Sequence, residues 1–182
     1  MTTVAVLVGS LRKESFSRKT AKAFAELTPD LTFDFLDIGA VSYFNQDLEA
    51  NPPSDWTAFR DRIAAADAIL FVTAEYNRSV PGVLKNALDV ASRPYGQGAL
   101  MGKPAAIIST SIGAIGGFGA NHHLRQSLCF LNMPTLEQPE AYIGNAGSLF
   151  DDEGNLANES TQDFLAKFGQ AFKDHIARNT AK

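Results

Sequence analysis

Cysteine is nearly missing from this sequence. The single Cys129 allows no internal disulfide and excludes a four-cysteine zinc site. No apolar stretch approaches the roughly 20 residues needed to cross a bilayer, so no membrane segment is expected. The opening MTTVAVLVGSL has no basic stretch, and its apolar run is too short for a secretory leader. Positive charge is not in excess either. Sixteen lysines and arginines against twenty aspartates and glutamates leave a net charge of −4, which argues against a nucleic-acid partner bound through its phosphates. Histidines number three. His122 and His123 are adjacent and diverge on a helix, and His175 lies far along the last predicted helix, where solvent is expected around it. With no H-E-x-x-H and no paired cysteines, no metal site is expected. G-x-S-x-G is absent, which leaves a hydrolase elbow unsupported. Asp151-Asp152-Glu153-Gly154 has its glycine too early for an EF-hand loop and reads as a turn.

What is present is ordinary for a globular chain: 182 residues, 45% hydrophobic and 20% charged. That length is one domain's worth, and one domain over residues 1–182, reduced and cytoplasmic, is the expectation. Residues 4–8 are apolar at every position and end at Gly9, the pattern of a strand buried on both faces. Similar runs recur at 32–38, 68–73 and 105–109, with a weaker fifth around 136–143. Between them, apolar residues at 3–4 spacing predict helices. The first two cover 17–27 (Ala21, Phe24, Leu27) and 54–66 (Trp56, Phe59, Ile63), the second opened by a Ser54/Asp55 capping signal. A third opens at Pro81-Gly82 (Leu84, Ala87, Leu88, Ala91), a fourth covers 119–131 (Leu124, Leu128, Leu131) and a fifth 161–177 (Phe164, Leu165, Phe168, Phe172). Five alternations of strand and helix predict an α/β fold with a five-stranded parallel sheet and helices on both faces. Right-handed crossovers make the flavodoxin-like order 2-1-3-4-5 the leading topology.

In such a sheet, ligands bind beyond the carboxyl ends of the strands where strand order reverses. The loop after the first strand, Gly9-Ser10-Leu11-Arg12-Lys13-Glu14-Ser15-Phe16-Ser17, combines hydroxyls and cations with a helix start. Those groups suit a doubly charged phosphate monoester, although the serines could equally do no more than cap the helix. Neither G-x-G-x-x-G nor G-x-x-x-x-G-K-[ST] is present, so a single terminal phosphate fits better than a dinucleotide or a triphosphate. The loop after the third strand, from Thr73 through Ala74, Glu75, Tyr76 and Asn77 to Gly82, offers in-plane hydrogen-bonding groups and an aromatic shelf. After the fourth strand, Ser109-Thr110-Ser111-Ile112-Gly113-Ala114-Ile115-Gly116-Gly117-Phe118-Gly119 carries four glycines in seven residues, which permits close backbone approach. Cys129, among leucines, reads as inert packing.

Three segments carry a resemblance: GSLRKESFS, EYNRSVPGVLKNALDVASR, and STSIGAIGG followed by HLRQSLCFLNM. Together they resemble the NADPH-dependent FMN reductase family, which includes bacterial quinone, chromate and azo-dye reductases. The resemblance runs from the first strand to about Asn145. It implies that Ser10, Arg12, Ser15, Phe16 and Ser17 hold the phosphate and ribityl chain of FMN. It further implies that Ala74, Glu75, Tyr76 and Asn77 line the isoalloxazine, with Ser111 and Gly113 on its other side. The implied co-substrate is NADPH or NADH, the partner a small-molecule electron acceptor, and the flavin carries the chemistry without a catalytic side chain. Members pair through helices near the flavin, which implies a homodimer or tetramer. Phe130, Met133, Val83 and Val90 lie off or beside the core stripes of their helices and are candidates for that contact. The sequence departs from the family at Ser17 (often Asn), Ala74 (often Pro) and Val90 (often Trp). An electron-carrier flavodoxin is the rival reading, but carriers are usually far more acidic than −4 and carry a T-x-T-G-x-T loop that is absent here. A binding module that has lost its cofactor remains a third reading.

Overall fold

The computed structural model describes residues 1–180. Its single sheet contains β1 (Thr2–Gly9), β2 (Leu31–Leu36), β3 (Ala68–Thr73), β4 (Ala105–Thr110) and β5 (Ala141–Ile143). All pairings are parallel, in the order β2-β1-β3-β4-β5. Five helices connect them: α1 (Phe16–Leu27), α2 (Ser54–Ala65), α3 (Gly82–Ala91), α4 (Phe118–Phe130) and α5 (Glu159–Thr180). The expected topology is the observed one. Continuous apolar runs become central strands because successive side chains point to opposite faces and both faces are covered. Ala5, Leu7, Ile69, Phe71 and Ile107 face α2, α3 and α4, packing with Trp56, Leu84 and Leu124. Val4, Val6, Leu70, Val72 and Ile108 face α1 and α5, packing with Phe24, Phe168 and Phe172.

Element ends moved where local hydrogen bonding competed with the apolar pattern. β2 stops at Leu36 because the Asp37 carboxylate accepts the Gly39 N–H at 3.1 Å and starts a short 3-10 turn. The fifth run is split. Leu136 donates its N–H to Ala105 beside β4, the chain then departs through Pro139, which has no N–H to give a ladder, and pairing resumes at Ala141. The expected cap of α2 is not formed: Ser54 is already helical, Pro53 occupies the cap position, and no side chain bonds there. Asp55 instead accepts both the N–H and the hydroxyl of Ser42, each at 2.7 Å.

Four single-residue expectations are corrected. His175 is buried, with Nε2 2.9 Å from the Pro134 carbonyl, because α5 packs on the segment leading into β5. Cys129 is exposed on α4, since Leu124 and Leu128 take the core face. Val90 is fully buried against the 41–49 segment and α2, and Met133 is buried below the end of α4, so neither is available to a partner. Among the described residues, no helix is long and apolar enough to cross a membrane, and no cluster of potential ligands could hold a metal ion.

Candidate active site

The carboxyl ends of β1, β3 and β4 open into a cleft of about 230 Å³. It is lined by Ser10, Arg12, Ser15, Phe16, Ser17, Ala74, Glu75, Tyr76, Thr110, Ser111 and Ile112. Nine of the eleven residues singled out in the sequence are therefore brought together. Asn77 and Gly113 are not in the lining.

At one end lies the start of α1. Ser15 caps the helix, its Oγ accepting the Arg18 N–H at 3.2 Å, so the capping role is real. The cap leaves the N–H groups of Phe16 and Ser17 with no acceptor among the described residues. Ser10, Ser15 and Ser17 are all buried, and none of their hydroxyls donates to another described residue. Arg12 stands over the Phe16 ring, its guanidinium carbon 5.6 Å from the centroid. Donors converge here, and no acceptor among the described residues meets them. A phosphate dianion is the complementary group, and this set of donors fits the phosphate of FMN.

The middle wall is a tight hairpin. Tyr76 and Ser79 exchange backbone hydrogen bonds at 3.0 Å in both directions, while Asn77 and Arg78 take φ of 53° and 63°. Two successive positive φ values define a type I′ turn, which Asn begins readily. Asn77 is thereby used to turn the chain and is not among the residues that line the cleft. The Glu75 carboxylate, with its side chain 11% exposed, accepts the Ala120 N–H at 2.9 Å and the Arg78 guanidinium at 2.9 Å. It anchors the hairpin to the positive N-terminus of α4, so what Glu75 offers the cleft is its backbone. A Cβ at Gly119 would stand 2.9 Å from that carboxylate, which explains why the smallest residue fits the first turn of α4. Ser79 adds a second tie, Oγ lying 2.7 Å from His123 Nδ1.

The far wall is the loop between β4 and α4. Its glycines serve the protein before any ligand: at Gly116 (φ 66°) a Cβ would stand 2.6 Å from the Tyr142 carbonyl carbon. Beyond this loop, His122 Nε2 lies 2.9 Å from the Tyr142 hydroxyl. Burial first, then the neighbouring Glu140 carboxylate, push that phenol up to about 12. Thr110 and Ile112 also line the cleft; both lie in the loop read as a candidate from the sequence but were not singled out there as site residues. Thr110 ends β4, and Ile112 was marked by being a bulky apolar residue inside a polar, glycine-rich loop.

A larger groove of about 440 Å³ lies at the C-terminal ends of α3 and α4, walled by Leu88, Tyr95, Leu100, Met101, Phe130 and Leu131. It is largely apolar, although Lys85, Asp89, Arg93 and Ser127 also line it, and it lies away from the loops that follow β1, β3 and β4.

Comparison with known proteins agrees with this geometry. Residues 2–148 match the family model described as NADPH-dependent FMN reductase. A quinone reductase of Pseudomonas putida is 57% identical over 98% of this chain and 96% of its own. A 2-hydroxy-1,4-benzoquinone reductase of a Burkholderia species is 50% identical over 91% of each chain. Among solved structures, FerB, a flavoenzyme NAD(P)H:(acceptor) oxidoreductase of Paracoccus denitrificans, superposes with a TM-score of 0.92 at 43% identity, covering 98% of this chain and 99% of that one. A flavodoxin-like sheet, a cleft of unanswered donors and a family match over most of the length place this chain in the NADPH-dependent FMN reductase family.

Proposed function

We propose that the chain is an NAD(P)H-dependent oxidoreductase that holds FMN in the cleft and reduces a quinone or a similar small acceptor. The observation that carries this reading is the convergence of two free helix N–H groups, three serine hydroxyls and Arg12 on one end of a cleft shaped by Tyr76 and Ser111. Ser10, Arg12, Ser15, Phe16 and Ser17 hold the phosphate and ribityl chain. Ala74, Glu75 and Tyr76 border the ring through backbone and aromatic surface, and Ser111 closes its other side. Asn77 and Gly113 contribute by fixing the turns on which those residues stand.

FMN held there would supply the redox chemistry, hydride acceptance from the nicotinamide and two-electron transfer to the acceptor. The chain itself binds, orients and leaves access. A cleft of about 230 Å³ lies below the usual ~300–1,000 Å³ of pockets that enclose a ligand, so a ring system held there would remain accessible to a second reactant. Overall, NAD(P)H, one proton and one quinone become NAD(P)⁺ and one hydroquinone, and the proton would come from solvent. The chain works as a homodimer or tetramer in the cytoplasm. Phe130, 77% exposed, and its neighbours Tyr95 and Met101 at the larger groove support a contact between copies, and the lone cysteine supports a reducing compartment.

Acid release and chromatography of the purified protein should give FMN at about one per chain, and NADPH oxidation should depend on added quinone. FAD in place of FMN, or no flavin, would overturn the reading. FMN without nicotinamide oxidation would make the protein an electron carrier.

A further inference from the structure

Exposed large apolar side chains fall mainly into two groups. Tyr95, Met101 and Phe130 border the groove at the ends of α3 and α4. Leu11, Tyr76, Ile112, Ile115 and Phe118 stand on the three loops above the sheet edge and at the start of α4. Within the second group, Tyr76 and Ile112 line the cleft itself, half and 72% exposed. Strand order β1-β3-β4 sets Leu11 and Ile112 on the two flanks, with Tyr76 on the loop between them.

Ile112 stands out because its backbone is fixed while its side chain is not covered. Before it, the Ser111 N–H donates to the Ile143 carbonyl at 2.9 Å and the Ser111 carbonyl accepts the Ala146 N–H at 3.0 Å. After it, the Gly113 N–H donates to Ser111 Oγ at 3.1 Å, and the Gly113 carbonyl accepts from Gly116 at 3.2 Å and Asn145 at 3.3 Å. Five hydrogen bonds tie the flanking residues to one another, to the rest of the loop, to β5 and to the turn after it. This is a rigid arm presenting a bulky apolar group to water, which returns nothing to folding.

We propose that Ile112 is a specificity-determining residue for the electron acceptor, a reading that rests on the function proposed above. Its exposed side chain forms an apolar wall of the cleft on the loop after β4, two strands along the sheet edge from the loop after β1 that carries the phosphate-binding residues. A flat, apolar ring entering there covers Ile112 and Tyr76 and is favoured by their removal from water; a small, highly charged acceptor gains nothing from the same surface. A second copy of the chain could also cover Ile112, but the cleft position of Ile112 and Tyr76 assigns them to the acceptor, and the groove at Phe130 is the apolar surface remote from the cleft.

The test compares kcat/KM for a methylated naphthoquinone with that for ferricyanide, using flavin-loaded protein and NADPH. For Ile112→Asn the quinone-to-ferricyanide ratio should fall by about tenfold, the scale of a lost apolar contact in a substrate pocket. Ile112→Leu should hold the ratio within about twofold, and so should Ile115→Asn, whose exposed side chain lies outside the cleft lining. An unchanged ratio in a flavin-loaded, active Ile112→Asn overturns the assignment and leaves the function standing. An unchanged ratio with a reduced mass in light scattering overturns it in favour of a contact between copies. Wild-type protein that neither carries FMN nor oxidises NADPH would remove the function itself, and the assignment with it.

Discussion

Arg12 and Glu75 lie on two walls of the same cleft and use their charge in opposite ways. Arg12 lies over the Phe16 ring and, among the described residues, its guanidinium makes no ion pair, which leaves it available to a ligand. Replacing it with Ala should weaken FMN binding by about 1.5–3 kcal/mol, the scale of a hydrogen bond to a charged group, and leave riboflavin nearly unaffected. Calorimetric titration of the apoprotein with both ligands checks this; equal losses would place Arg12 away from the phosphate. Glu75 has its charge consumed by the protein, between Ala120 and Arg78. Glu75→Ala should leave the start of α4 without its anion and loosen the hairpin, lowering stability by about 1–3 kcal/mol in urea denaturation and weakening FMN at the same time. Glu75→Gln retains an oxygen for the Ala120 N–H and should recover most of both. If Gln behaves no better than Ala, the charge on Arg78 matters more than the helix terminus.

At the scale of elements, α2 shows how ends are secured without the expected cap. Asp55 holds Ser42 at the N-terminal end, and Lys103 Nζ reaches the Ala64 and Ala66 carbonyls at the C-terminal end, at 3.0 and 2.5 Å. The Ser42 bonds lower the Asp55 carboxyl below its ordinary value of 3.8. A carboxylate held low stabilises the fold above its unfolded value, and that contribution is lost as pH falls through the lowered one. Asp55→Asn should therefore lose stability near neutral pH, by about 1 kcal/mol once solvent screening is allowed for. Thermal melts of variant and wild type should converge as the pH drops below about 3.8. A difference that persists in strong acid would mean that Asp55 acts through packing and not through charge.

For the whole molecule, the proposed reaction brings nicotinamide and acceptor to the same cleft in turn. Steady-state kinetics should thus be ping-pong, with parallel double-reciprocal lines and competitive inhibition by excess acceptor. Intersecting lines would require both substrates to be bound together, in a larger site than the cleft offers. Light scattering at micromolar concentration should give at least twice the chain mass of 19.6 kDa, and Phe130→Asp should lower it. A monomer mass with full activity would refute pairing.

The sequence by itself determined the architecture. Runs that are apolar at every position dictate strands buried on both faces, and helical spacing between them leaves few topologies once crossovers are right-handed. It also determined which three loops meet, since parallel strands bring all their carboxyl ends to one edge. The loops of the cleft were legible for that reason, and the residues within them through the family resemblance. The tertiary structure decided what each residue there does. Glu75 is an anchor and not a free carboxylate because α4 begins beside it. Asn77 makes a turn because the hairpin requires positive φ at that position. Gly116 accommodates β5 before it accommodates any ligand. Val90, His175 and Cys129 exchanged their expected surroundings because burial at helix edges depends on the neighbouring segment, and helical periodicity records only which face is apolar, not what is packed beside it.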